Sequence, residues 1–151
     1  QRQMCIRDSY GTGKGRVCFY LSYQTRCRSV GMEYDERIFS AAESNREHAV
    51  SGRRVSFELT GAEEYAVPTD VGRCYFFNPF SVEILQKVLA RIYESYYENP
   101  REILLMFYYP SEEYISCLMT EEALMFVDEI STEDLFEVKN ERERILIFSV
   151  E

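Results

Sequence analysis

The sequence has no tryptophan, a single histidine (His48) and four prolines, and none of its five cysteines stands in a C-x-x-C pair. Those absences exclude the usual zinc spacings and any Ser-His or Cys-His catalytic pair that is not built on His48. Cys5, Cys18, Cys27, Cys74 and Cys117 are scattered singly through mostly apolar runs, the pattern of core packing in a reducing compartment. No run approaches 18 apolar residues and the start of the chain is polar, so a soluble, cytoplasmic protein without membrane contact is expected. Positive charge is also short: 17 Lys/Arg face 26 Asp/Glu, a formal net charge of -9. It is unevenly spread, with 10 Lys/Arg against 6 Asp/Glu over residues 1–54 and 7 against 20 over residues 55–151. Such a chain gains nothing from the release of phosphate counterions, which disfavours broad nucleic-acid binding.

What is present fits one globular core. A length of 151 residues suits a single domain, and a composition 46% hydrophobic and 28% charged, with 12 Tyr and 10 Phe, excludes disorder. Apolar patterning predicts a helix over 17–24, a short strand over 28–33, and a helix over 35–50 opened by Asp35 as its N-cap. A strand over 54–60 alternates, and one over 73–78 reads as buried and stops at Asn78-Pro79. Ser81 caps a helix over 82–98 whose Ile84, Leu85, Val88, Leu89, Ile92 and Tyr96 make one stripe, ended by Asn99-Pro100. Strands over 102–110, 124–130 and 143–150 follow, with a short helix near 111–119. Strands alternating with helices, then two strands near the end, predict an α/β, doubly wound, mostly parallel sheet with an antiparallel last strand.

In such a fold a glycine-rich turn follows the first, central strand, and here it is YGTGKGRV (10–17). The residues before it, QRQMCIRDS, carry no buried-strand pattern, so the first strand is expected to be missing or replaced. That string resembles translated sequencing-adapter sequence. Residues 1–9 are accordingly expected to be a non-native leader and 10–151 the domain, shortened at its N-terminus.

Gly11, Gly13 and Gly15 do not make the phosphate loop G-x-x-x-x-G-K-[ST], and they break the dinucleotide spacing G-x-G-x-x-G by one position. Their spacing, G-x-G-x-G, resembles the first motif of the Rossmann-like, class I S-adenosylmethionine-dependent methyltransferases, although the acid usual two positions before the first glycine is replaced by Ser9. Glycine serves such a turn because backbone without a Cβ lets a ligand approach main-chain N–H groups.

Further residues extend the resemblance. Glu33 lies 18 residues past Gly15 at the end of RSVGME, where an adenosyl or dinucleotide site needs an acceptor for both ribose hydroxyls. Its plain alternative is a solvated strand-end acid. Tyr34 is placed to cover an adenine face. GAEEY (61–65) resembles the turn whose acid bonds the adenine amine, with Glu63 as that acid and Glu64 as its rival. FFNPF (76–80) resembles [DNS]-P-P-[YF] of amino-directed members with one proline missing, which puts the aromatic one residue early. In that motif the Asn side chain and a main-chain carbonyl accept from the target amine.

The run from 75 to 102, with YYPSEEY (108–114), is similar to a bacterial subgroup of small methyltransferase-like proteins. The resemblance implies S-adenosylmethionine as cofactor and methyl transfer as the reaction, to a small molecule or protein, with an amino group as one candidate target. It implies Tyr10, Gly11, Thr12, Gly13, Gly15, Glu33, Tyr34, Glu63 and Asn78 as cofactor contacts. Asn78 would also orient the substrate, Pro79 and Phe80 would touch it, and no metal is implied. Tyr108-Tyr109-Pro110 offers a second wall. Two other readings stay open: a nicotinamide-dependent oxidoreductase using Glu33 on a ribose, and a non-catalytic Rossmann-like interaction module.

Overall fold

The computed structural model describes residues 6–10, 28–33, 35–49, 55–76, 80–108, 110–131 and 144–151. Its elements are β1 Ile6–Tyr10, β2 Arg28–Glu33, α1 Glu36–His48, β3 Val55–Leu59, a 3-10 turn Ala62–Glu64, β4 Val71–Phe76, α2 Val82–Glu98, β5 Leu104–Tyr108, α3 Glu112–Thr120, β6 Leu124–Ser131 and β7 Arg144–Val150. The strands form one sheet in the order β3-β2-β1-β4-β5-β7-β6. β1 to β5 run parallel, and β7 is antiparallel to both β5 and β6. This is the Rossmann-like, doubly wound α/β architecture that the sequence pattern predicts. The helix expected over 17–24 lies outside the described residues.

Local chemistry accounts for the helix limits. Asp35 accepts from the N–H groups of Arg37 and Ile38, Ser81 from that of Ile84 and Ser111 from that of Tyr114, satisfying donors that have no partner in the first turn of a helix. α2 ends at Asn99, just before Pro100, which cannot continue a helix. Its stripe meets the sheet: Leu85, Val88, Leu89 and Ile92 are buried, while Ile84 and Tyr96 pack at the margin. Each such aliphatic side chain taken from water stabilises the fold by about 1.5–3 kcal/mol.

The main core lies between one face of the sheet and α2 and α3, where Met32, Val71, Cys74, Phe76, Leu105, Phe107, Leu146, Phe148 and Val150 join the helical residues. A smaller cluster joins Ala42 of α1 to Val55 and Phe57 of β3. Burial alternates along β4 and β5, leaving Arg73, Tyr75, Leu104 and Met106 half-buried, so the continuous burial expected of these strands holds only on the face that α2 and α3 cover.

The first strand differs from expectation most. Of the two alternatives, missing or replaced, the structure has the place filled: Ile6–Tyr10 pairs with β2 on one side and β4 on the other. Residues 6–9 of this strand come from the segment read as leader. IRDSY has no continuous apolar run, yet main-chain ladders on both flanks hold it, with a register shift between Ile6 and Arg7 on the β4 side. Backbone pairing sets a strand here where side-chain pattern does not.

Candidate active site

Strand order reverses between β1 and β4: the chain builds outward through β2 and β3 on one side and through β5 on the other. Because β1 to β5 are parallel, the segments that follow them all leave from one edge. Ligands of open α/β sheets bind in the crevice outside the strand ends at such a reversal. Tyr10, the last residue of β1, stands in register with Met32 of β2 and Phe76 of β4. Glu33, one position beyond Met32, ends β2 in register with Leu59, the last residue of β3. The backbone therefore brings Tyr10, Glu33 and the segments after β3 and β4 to one edge.

Gly11, Thr12, Gly13, Gly15, Tyr34, Asn78, Pro79 and Tyr109 lie outside the described residues. Tyr10 and Glu33 are described by their backbone position. Glu63 and Phe80 are described in full, as is Glu64, whose side chain is exposed.

Glu63 occupies the 3-10 turn after β3. The turn closes through the N–H of Glu64 on the Gly61 carbonyl at 3.1 Å and that of Tyr65 on the Ala62 carbonyl at 3.4 Å. Tyr65 and Val67 anchor the segment in the core, and Ala62 packs against it. The Glu63 carboxylate lies back over Gly61, where a Cβ would stand 3.1 Å from each of its oxygens.

Phe80 is fixed from α3. The Tyr114 hydroxyl accepts from the Phe80 N–H at 3.3 Å and donates to the Phe80 carbonyl. The Phe80 ring meets Phe76 edge-on at 6.3 Å, Phe76 stacks on Phe107 at 4.5 Å, and Phe107 meets Tyr114 edge-on at 6.3 Å. Burial pushes the Tyr114 phenol up to about 12, against the opposing effect of the Phe80 N–H, so the hydroxyl stays a neutral donor at physiological pH. Phe80, where the chain passes from β4 toward α2, is thus pinned by Tyr114.

Tyr114 belongs to the YYPSEEY run but carries no predicted role. Its sequence signal is a tyrosine at the helix position capped by Ser111, and a buried tyrosine requires a partner for its hydroxyl. Pro110 is buried and Tyr108 half-buried. An open cavity of about 440 Å³ lies nearby, but all its lining residues, Glu83, Gln86, Glu113 and Cys117 among them, belong to α2 and α3. It lies between α2 and α3 in the helical layer. Among the described residues no group of His, Cys, Asp and Glu is placed to hold a metal, and no helix is long and apolar enough to cross a membrane.

No protein-family profile and no curated protein sequence matches the chain. Solved structures do. A TehB-like S-adenosylmethionine-dependent methyltransferase from Corynebacterium glutamicum superposes with a TM-score of 0.68 at 16% identity, over 100% of this chain and 82% of that one. The glycopeptide N-methyltransferase MtfA gives 0.73 at 11% identity, over 96% and 82%, and has been solved with S-adenosylmethionine and with S-adenosylhomocysteine. An RNA methyltransferase from Salinibacter ruber, in complex with S-adenosylhomocysteine, gives 0.61 at 16% identity, over 96% and 80%. At these identities the likeness is one of fold: the chain has the class I methyltransferase fold.

Proposed function

We propose that a chain with this fold is an S-adenosylmethionine-dependent methyltransferase whose cofactor lies across the ends of β1, β2 and β3, with the methyl acceptor at the turn after β4. The observation that supports this most is the reversal between β1 and β4, with Tyr10, Glu33 and the turn bearing Glu63 on the edge where such folds take their ligands. The donor and acceptor set fits an adenosyl group: two acids at neighbouring strand ends suit ribose hydroxyls and an exocyclic amine.

Each residue then has a task. The glycine turn 11–15, entered from Tyr10, presents main-chain N–H groups at close approach. Glu33 accepts from the ribose hydroxyls, Tyr34 covers the adenine face and Glu63 accepts from the adenine amine. Asn78 accepts from an amino-group substrate and turns its lone pair toward the methyl, while Pro79 and Phe80 hold the flat part of the substrate. The bound cofactor supplies an electrophilic methyl on a sulfonium that leaves as a neutral thioether. The acceptor gives the electron pair of the new bond, and the proton it sheds passes to solvent. The protein contributes alignment, for which effective molarities reach roughly 10⁵ M or more. Excess negative charge at neutral pH favours a small molecule or protein as acceptor over a nucleic acid.

Calorimetric titration of S-adenosylhomocysteine into the intact chain tests this reading. Glu33→Ala should weaken binding by about 1.5–3 kcal/mol, the scale of a charge-assisted hydrogen bond. Unchanged affinity removes Glu33 from the site.

A further inference from the structure

Arg91 stands midway along α2 and donates from Nε to the main-chain carbonyl of Glu63, 3.2 Å away across the boundary between helix and turn. Its Nη1 reaches Glu94 at 3.5 Å, one turn further along the same helix, so the guanidinium is held from two sides. Apolar contacts fix the rest of the turn, through buried Tyr65 and the packing of Ala62. Two features bear on where the Glu63 carboxylate stands. One is the position of the main chain at residue 63, to which Arg91 is bonded. The other is the lack of a side chain at Gly61, over which the carboxylate lies.

We infer that Arg91 is a positioning residue for Glu63, and that by holding the Glu63 carbonyl it sets the preference of the site for a 6-amino purine over a 6-oxo purine. The inference rests on the methyltransferase reading and on Glu63 as the acceptor from the adenine amine. A carboxylate held opposite a 6-amino group accepts a hydrogen bond from it. Opposite a 6-oxo group it faces a second acceptor, and a charged group is left unpaired, so discrimination is strong only while the carboxylate cannot swing away. Arg91 is suited to this restraint because its planar guanidinium divides its donors between the turn and its own helix.

The test compares S-adenosylhomocysteine with its inosine counterpart, in which oxygen replaces the 6-amino group, by titration into the wild-type chain, Arg91→Ala, Arg91→Lys and Glu63→Ala. The wild-type chain should prefer the adenosyl ligand by about tenfold or more, the scale of one charge-assisted hydrogen bond. Glu63→Ala and Arg91→Ala should each bring that ratio close to one. Arg91→Lys keeps a single-point donor and should give an intermediate ratio; it also serves if Arg91→Ala does not fold. A ratio unchanged in the Arg91 variants, or both affinities falling by one common factor, overturns the inference and leaves Arg91 a purely structural group. A ratio unchanged in Glu63→Ala overturns it by removing Glu63 from the adenine. Failure of the wild-type chain to bind S-adenosylhomocysteine overturns the methyltransferase reading and the inference together.

Discussion

The hydroxyl of Tyr114 engages both main-chain groups of Phe80, although 34 residues separate the two. One phenol so ties the segment after β4 to the first turn of α3, whose own N-terminus is closed by Ser111 on the Tyr114 N–H at 3.2 Å. Tyr114→Phe keeps the ring among Phe80 and Phe107 and removes the two hydrogen bonds. It should lower stability by about 1–3 kcal/mol, the cost of leaving buried polar groups unpaired, read from the midpoint of denaturant unfolding. A midpoint equal to that of the wild type would show that the bonds contribute nothing.

Alkaline pH should act through the same residue. Burial holds the phenols of Tyr93 and Tyr114 above the usual value of 10.0, Tyr114 at about 12, and Glu121, which accepts from the Tyr93 hydroxyl at 3.1 Å, raises Tyr93 further. The native state keeps these protons where the unfolded chain loses them. The stability they support is therefore full below about pH 10 and is lost as pH rises through the native values. Unfolding measured at several pH values above about 9 should show stability falling, with a shallower slope in Tyr114→Phe. An equal slope in the two proteins would contradict the assignment.

Arg101 offers a contrast far from the site, just before β5. Its guanidinium donates to the carbonyls of Val71, Ser95, Asn99 and Pro68 and to the Ser95 hydroxyl, at 2.7 to 3.1 Å. Arg101→Ala should destabilise the fold by about 3 kcal/mol, and Arg101→Lys should recover only part of this, because one ammonium cannot span the same acceptors. Adenosyl affinity in any variant that folds should match the wild type, as calorimetry can check.

Gly61→Ala should separate binding from stability in the other direction. Gly61 has φ -69 and ψ 140, which alanine adopts freely, so thermal unfolding should shift by less than about 1 kcal/mol, toward higher stability. The new Cβ would displace the Glu63 carboxylate. Affinity for S-adenosylhomocysteine should fall about three- to tenfold, part of one hydrogen bond.

The sequence made some of this plain and hid the rest for physical reasons. α2 runs between a serine cap and an Asn-Pro stop, and its stripe has helical period, so its limits could be read to the residue. β7 carries the unbroken apolar run Ile145–Phe148, which marks it as a strand, and it takes the antiparallel place expected of the last strand. β1 could not be read, since IRDSY carries no apolar pattern and its pairing depends on two strands that lie later in the chain. The positions of Glu33 at the end of β2 and of Glu63 in the turn after β3 were visible as spacing. Tyr114 and Arg91 were not, because each acts through a main-chain group about 30 residues away, a relationship that leaves no local pattern.

Thermal unfolding of the intact chain with S-adenosylmethionine, with S-adenosylhomocysteine, with NAD and with no ligand tests the central claim most directly. The account predicts a higher midpoint with the two adenosyl-sulfur ligands only, since a ligand at about 100 times its dissociation constant stabilises the native state by roughly 2.7 kcal/mol. A cooperative transition that none of the ligands moves, or that NAD alone raises, would contradict it.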